Sequence, residues 1–132
     1  MTDKARKYKT TCIKRLYMLS NNQCAAPDCE KSLLARDNET IISKICHIEA
    51  ANNNGPRFNP NMTDDERRHH SNLILLCDEC HSIIDNKENE KKYPVTLLKE
   101  WKAAHESKKI AILNAKPTLL RIAIDAISQS DF

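Results

Sequence analysis

The sequence predicts an α+β fold in which helices flank a small, irregular, cysteine-rich centre. Long segments rich in charged and aliphatic residues at both ends favour helices, and two short apolar runs between them are typical of strands. Four cysteines form two close pairs in the same centre. Aromatic residues make up 5% of the 132 residues and there is one glycine, which disfavours a β-sandwich or β-barrel because those folds need many tight turns.

The first predicted helix covers residues 2–20. Its apolar residues recur at i, i+4, i+8 and i+11, which is helical spacing; they are Tyr8, Cys12, Leu16 and Leu19. Because Cys12 belongs to this apolar stripe, we expect it to be a small buried side chain and not a metal ligand.

Two close cysteine pairs predict a structural metal site. Cys24 and Cys29 enclose a Pro-Asp turn, and Cys77 and Cys80 have the two-residue spacing of a zinc knuckle. The start of the sequence has no apolar core of a secretory signal, and no apolar run approaches the length of about 18 residues that a membrane helix needs. We therefore expect a cytoplasmic protein without a membrane partner, and prefer an all-cysteine Zn²⁺ site to disulfides.

A strand is predicted over residues 40–48, with His47 near its end, and a buried strand over residues 72–76. The long loop between them contains the only glycine and a capping-box pattern that starts at Thr63. In this loop we expect Arg57 to bind a nucleic-acid phosphate, with a plain surface role as the alternative.

A second, hard-ligand metal site is predicted after the second cysteine pair. A helix that begins at His81 places this residue and Asp85 on one face, where both can contact one divalent ion such as Mg²⁺ or Mn²⁺. His47 is the candidate general base because its ordinary pKa lies near neutrality. Asn72 either fixes the loop that carries His47 or supplies an amide oxygen to the ion.

The last part of the sequence predicts a helix that opens at Pro94, with Leu98 and Trp101 in the core and His105 on a helix face. We divide the chain into residues 1–115, the functional domain with its N-terminal helix, and residues 116–132, an apolar helix or linker. Two interpretations of that final segment stay open: it packs on a second copy in a homodimer, or it leads into a further domain.

Three residues occur in the order His47, Asn72, His81. The last histidine directly follows a Cys-x2-Cys pair, and another cysteine pair lies earlier in the chain. This pattern resembles the HNH endonucleases of the ββα-metal fold. The resemblance implies a ββα-metal core in which His47 is the general base, Asn72 orients it and His81 binds the catalytic ion. Asp85 matches a further helical ligand. Cys46 departs from the pattern, because the family often has an acidic or imidazole ligand directly before the first histidine.

Two segments, Gly55-Pro56-Arg57 and residues 71–77, are most similar to nuclease domains of bacterial anti-phage effectors. In those effectors an HNH module is joined to a ligand-sensing domain, so the resemblance implies antiviral defence and a fused or associated sensor as a partner. It covers roughly residues 14–105.

Two functions from different classes follow. The first is a DNA endonuclease that uses one Mg²⁺-like ion and water activated by His47; the alternative is a non-catalytic zinc-stabilised DNA-binding or adaptor module. The formal charge of +3 and the pI near 8.5 are compatible with DNA in both cases. Asp85 one turn after His81 favours the enzyme, since a zinc knuckle has no need for that carboxylate.

Overall fold

A two-stranded antiparallel sheet lies at the centre of the protein in the computed structural model, which describes residues 3–108 and residue 110. Strand β1 covers Ser43–His47 and strand β2 covers Leu73–Cys77. In the register, Ser43 pairs with Cys77 and His47 with Leu73. The helices are α1 (Thr10–Met18), α2 (Asp64–Arg67), α3 (Asp78–Asp85) and α4 (residues 95–108). The predicted mixture of helices and sheet is thus confirmed.

Strand β2 is the most buried element of the described chain. All five of its residues are at most 3% exposed. It contacts α1 and α3, and a strand covered on both faces carries apolar residues continuously instead of in alternation. This explains why its sequence, Leu-Ile-Leu-Leu-Cys, contains no polar position.

The N-terminal region differs from the single predicted helix over residues 2–20. A short 3-10 turn covers Lys4–Arg6, and α1 begins only at Thr10. Between them Tyr8 leaves the helical stripe and packs beside His47, with 5.6 Å between the ring centroids. Tertiary contacts of this segment therefore override its helical spacing. Cys12 is buried at 7% exposure, as predicted.

Helix α3 begins three residues earlier than the predicted start at His81. Cys77 is its N-cap residue, and the Cys77 Sγ accepts a hydrogen bond from the Cys80 N–H at 3.4 Å. A cysteine pair predicted as metal ligands thus also starts the helix that carries His81 and Asp85.

Helix α4 packs on the core as predicted. Leu98 is fully buried, and Trp101 meets Tyr93 edge to face at 5.7 Å. The ring Nε2 of His105 lies 2.9 Å from the Ser20 carbonyl oxygen, which is consistent with a helix-face residue.

The capping box predicted at Thr63 is present at the start of α2, since the Thr63 and Glu66 side chains each bond the other's backbone. The predicted helix or linker over residues 116–132 lies outside the described residues. Among the helices that are described, none has the length and apolar character to cross a membrane.

Candidate metal centre and catalytic cleft

The four predicted cysteine ligands come together in one cluster. The sulfur atoms of Cys24, Cys29, Cys77 and Cys80 all lie within 4.8 Å of one another. The Cys29 and Cys77 Sγ atoms are 3.9 Å apart. A tetrahedral site with Zn–S bonds of about 2.3 Å has sulfur atoms about 3.8 Å apart, so the cluster could hold a metal ion such as zinc.

Local backbone geometry brings the first cysteine pair to the second. The Cys29 N–H donates to the Ala26 carbonyl at 3.2 Å, and Asp28 closes the turn at a φ of 62°, a left-handed conformation that Asp tolerates. The Ala25 N–H donates to the Leu75 carbonyl at 3.1 Å, which fastens this turn to the edge of β2.

The protein environment shifts the pKa values of the cluster thiols in different directions. Burial raises the pKa of the Cys24 thiol to about 11, and burial and the neighbouring Cys24 raise the pKa of Cys80 well above its ordinary value. For Cys29, burial also raises the pKa, but hydrogen bonds, of which the one from the Lys31 backbone is the largest, outweigh burial and lower it. Cys24 and Cys80 therefore stay protonated until a cation replaces their protons. The donor set therefore fits an ion that binds thiolates strongly, as Zn²⁺ does.

A second site lies further along α3. His47, at the end of β1, and His81 and Asp85, on α3, line one cleft of about 120 Å³. The cleft is also lined by Arg6 and Tyr8 from the N-terminal segment. Residues that are far apart in the sequence thus surround a common space, as the pattern predicted for His47, His81 and Asp85.

The His47 ring is fixed by a backbone carbonyl. Its Nε2 lies 2.8 Å from the Ala5 carbonyl oxygen. Because a carbonyl can only accept, Nε2–H is the donor and Nδ1 of the neutral ring carries the free lone pair. Burial, with a smaller contribution from the charge of Arg6, lowers the pKa of His47 below its ordinary value. His47 is therefore largely neutral at pH 7 and able to accept a proton.

His81 and Asp85 form the opposite wall. The His81 Nε2 and the Asp85 Oδ2 are 2.9 Å apart, one helical turn from each other. The two side chains are 31% and 40% exposed, so both reach solvent from the cleft. One imidazole and one carboxylate leave most positions of a bound divalent ion open to water and substrate oxygen.

Asn72 is buried at 3% exposure and holds the segment that follows His47. Its Oδ1 accepts from the Glu49 N–H at 2.9 Å, and its Nδ2 donates to the Glu49 and Arg67 carbonyls, each at 2.9 Å. These bonds engage both ends of the amide. Of the two predicted roles, fixing the loop beyond His47 therefore agrees with the geometry, and binding an ion does not.

Cys46 lies on the face of β1 opposite to His47. It is 1% exposed and belongs to the hydrophobic core. Neighbouring residues of a strand point to opposite faces, so the thiol cannot reach the cleft that His47 lines. Burial raises its pKa well above the ordinary value, and it remains a neutral core side chain.

Arg57 does not have the exposed position that phosphate binding requires. Its side chain is 3% exposed, and it donates from Nε to the Ile48 carbonyl at 2.7 Å and from Nη1 to the Ile84 carbonyl at 2.9 Å. Its Nη2 lies 3.8 Å from the Asp85 Oδ1. Arg57 thus joins the end of β1 to the end of α3 through Nε and Nη1. This burial disfavours phosphate binding by Arg57, which stays a prediction.

The loop that carries Arg57 needs its glycine. A Cβ on Gly55 would lie 2.6 Å from the Ala50 Cβ, closer than such atoms approach in proteins. Gly55 therefore allows the loop to fold back over Ala50, and both residues line the cleft.

The N-terminal contribution to the cleft is not visible in the sequence pattern. That pattern places Ala5, Arg6 and Tyr8 in one long helix, whereas the structure places Ala5 against His47 and the other two residues in the cleft wall. The only available signal was composition, since a basic segment precedes the cysteine pairs. Which backbone carbonyl meets a histidine ring depends on tertiary packing.

No protein-family model matches this sequence, and a search of the curated proteins gives no match.

Proposed function

We propose that this protein is a metal-dependent endonuclease of the HNH type that hydrolyses phosphodiester bonds in DNA, with His47 as general base. The observation that carries the proposal is the cleft that His47, His81 and Asp85 line together. A free ring nitrogen, an imidazole and a carboxylate around one small space are the parts that metal-assisted phosphodiester hydrolysis requires.

The residues of the chain have distinct roles in this reaction. His47 takes a proton from water at Nδ1 while the water oxygen attacks phosphorus, and the bond to the 3′ oxygen breaks. The Ala5 carbonyl holds the ring in the required tautomer, and Asn72 holds the backbone just after His47. The products are a 5′ phosphate and a 3′ hydroxyl, the latter protonated from solvent.

His81 and Asp85 would hold the divalent ion. Mg²⁺ and Mn²⁺ suit this pair because they accept one imidazole and one carboxylate and keep several water ligands. When bound, such an ion neutralises charge on the phosphate and stabilises the departing oxygen. The Arg57 Nη2 lies 3.8 Å from the Asp85 Oδ1, so a positive charge stands beside this carboxylate.

The cysteine cluster serves as scaffold in this proposal. Cys77 and Cys80 lie at the start of α3, so a zinc ion held by the four cysteines fixes the helix that presents His81 and Asp85. A closed all-cysteine site contributes folding free energy and leaves no open position for substrate. In line with the resemblance to anti-phage effectors, we place the nuclease in bacterial antiviral defence.

The test is cleavage of supercoiled plasmid by the zinc-loaded protein with added Mg²⁺ or Mn²⁺. His47→Ala should lower the rate by about 10²–10⁴-fold, the usual contribution of a general base. His105→Ala is the matched control, because its ring also bonds a backbone carbonyl through Nε2 but lies away from the cleft. It should cleave at nearly the parent rate.

Three results would count against the proposal. Equal cleavage by His47→Ala and the parent protein would remove His47 as the base. Cleavage that is unchanged by chelation of Mg²⁺ and Mn²⁺ would remove the divalent ion. A parent protein that binds plasmid in a gel-shift assay but never cuts it would instead support the non-catalytic DNA-binding module.

A further inference from the structure

A DNA phosphate bound in the cleft requires a positively charged side chain as its partner. Arg57, which was expected to be that partner, is buried outside the cleft. Arg57 uses its guanidinium on the carbonyls of Ile48 and Ile84. Among the residues that line the cleft, all of them in the described part of the chain, Arg6 is the only lysine or arginine. Phosphate recognition therefore has to be sought in the N-terminal segment.

We propose that Arg6 binds the DNA phosphate in the cleft and that Asp3 competes for the same guanidinium. The inference deepens the proposed function, on which it rests, because it names the residue that recognises the substrate backbone. In the structure, the Arg6 Nη1 lies 2.7 Å from the Asp3 Oδ1, and the two side chains are 48% and 61% exposed. Such an exposed ion pair is weak, so a phosphate can displace the carboxylate.

The backbone around Arg6 is already held at the cleft. Ala5 is 4% exposed and accepts the hydrogen bond from His47. The Lys7 carbonyl accepts from the Arg68 Nη1 at 3.2 Å, and the Lys4 Nζ lies 3.5 Å from the Asp65 Oδ1. Residues on both sides of Arg6 are thus tied to the rest of the protein. Only its side chain has to change partner when a phosphate arrives.

Arg6 also lies where a bound DNA strand would continue beyond the cleft. It lines both the cleft of about 120 Å³ and a wider depression of about 570 Å³. Phe58 and Asn52 line the wider depression, and the Arg67 guanidinium carbon lies 4.7 Å from the centre of the Phe58 ring. A phosphate bound by Arg6 therefore lies between the catalytic residues and a surface with room for the adjoining nucleotide.

The experiment measures binding of a short fluorescent DNA duplex and cleavage of plasmid by the same variants. Arg6→Gln should weaken binding about tenfold and reduce the slope of log K against log[salt] by about one, as expected for loss of one phosphate contact. Arg6→Lys should restore part of the affinity. Lys7→Gln removes the same charge one residue later, from a side chain outside the cleft, and should change affinity far less.

For Asp3→Asn we expect tighter DNA binding, the opposite of the effect of Arg6→Gln. It removes the competing carboxylate and should tighten binding about twofold. The gain should disappear in the Arg6→Gln background, since competition requires the Arg6 guanidinium. Weaker binding by Asp3→Asn would overturn the competition between Asp3 and phosphate.

The outcomes separate this inference from the proposed function. If the parent cuts DNA and Arg6→Gln behaves like Lys7→Gln, the assignment of Arg6 is wrong while the nuclease stands. If the parent binds but does not cut, and only Arg6→Gln loses affinity, the phosphate contact stands while the nuclease falls. A parent protein that neither binds nor cuts DNA overturns both.

Discussion

Replacing Arg57 with methionine distinguishes a structural arginine from a phosphate-binding one. Methionine keeps an unbranched apolar stem of similar length but has no N–H donor. The buried carbonyls of Ile48 and Ile84 then lose their partners, and Asp85 loses the neighbouring positive charge. The change therefore acts on the junction between β1, α3 and the loop that carries residue 57.

The size of the effect follows from the two short hydrogen bonds. Bonds from a charged donor contribute about 1.5–3 kcal/mol each, and an unpaired buried carbonyl costs a similar amount. The third bond of Arg57, to the Tyr93 carbonyl at 3.4 Å, is long and adds little. The expected loss is at least about 3 kcal/mol, a large part of the roughly 5–15 kcal/mol that stabilises a typical domain.

Urea denaturation at constant zinc concentration measures this loss. For an m-value of about 1–3 kcal/mol/M, the midpoint of Arg57→Met should fall by roughly 1–3 M. Arg36→Met is the control, because Arg36 is exposed and should tolerate the same change within about 0.5 kcal/mol. Equal midpoints for the two variants, with weaker DNA binding by Arg57→Met alone, would refute the structural role and restore Arg57 as a phosphate ligand.

Two further predictions concern the cysteine cluster and His47, the proposed base. Cys77→Ser should lose bound zinc and unfold, because structural zinc contributes about 10–16 kcal/mol in small zinc modules. The zinc content per chain and circular dichroism measure these two effects. The control is Cys12→Ser, a change at a buried cysteine outside the cluster, which should keep its zinc and its fold. The cleavage rate should fall only as pH drops below 6.5, since burial lowers the pKa of His47 below that ordinary value and the base is neutral above its pKa. A cleavage rate that already falls to half of its maximum above pH 6.5, measured at saturating Mg²⁺, would contradict this prediction.

The sequence predicted the parts of the site that depend on local spacing. The cysteine pairs at Cys24 and Cys77 were recognisable because each pair is close in sequence. His81 and Asp85 were recognisable because residues four apart share a helix face. The two strands were visible as short apolar runs, and the structure shortens the first to Ser43–His47.

The sequence could not predict the contacts made over long distances in the chain. A buried arginine and a surface arginine have the same local signature, and three backbone carbonyls decide that Arg57 is buried. The spacing of Tyr8 fitted a helix, yet its contact with His47 competes with that helix and prevails. Helix α3 started earlier than expected because a cysteine sulfur took the capping role usually filled by Ser, Thr, Asp or Asn.

Helix α3 explains why a structural cluster and a cleft occur together in so small a protein. It has eight residues, and isolated helices of this length are not stable in water. At its start Cys77 and Cys80 belong to the cysteine cluster, and at its end the Ile84 carbonyl is held by Arg57. His81 lies between these two anchors and Asp85 directly follows the second, so contacts at both ends of the helix set their geometry. A short helix held in this way can present the two proposed ion ligands to the cleft with little help from a large hydrophobic core.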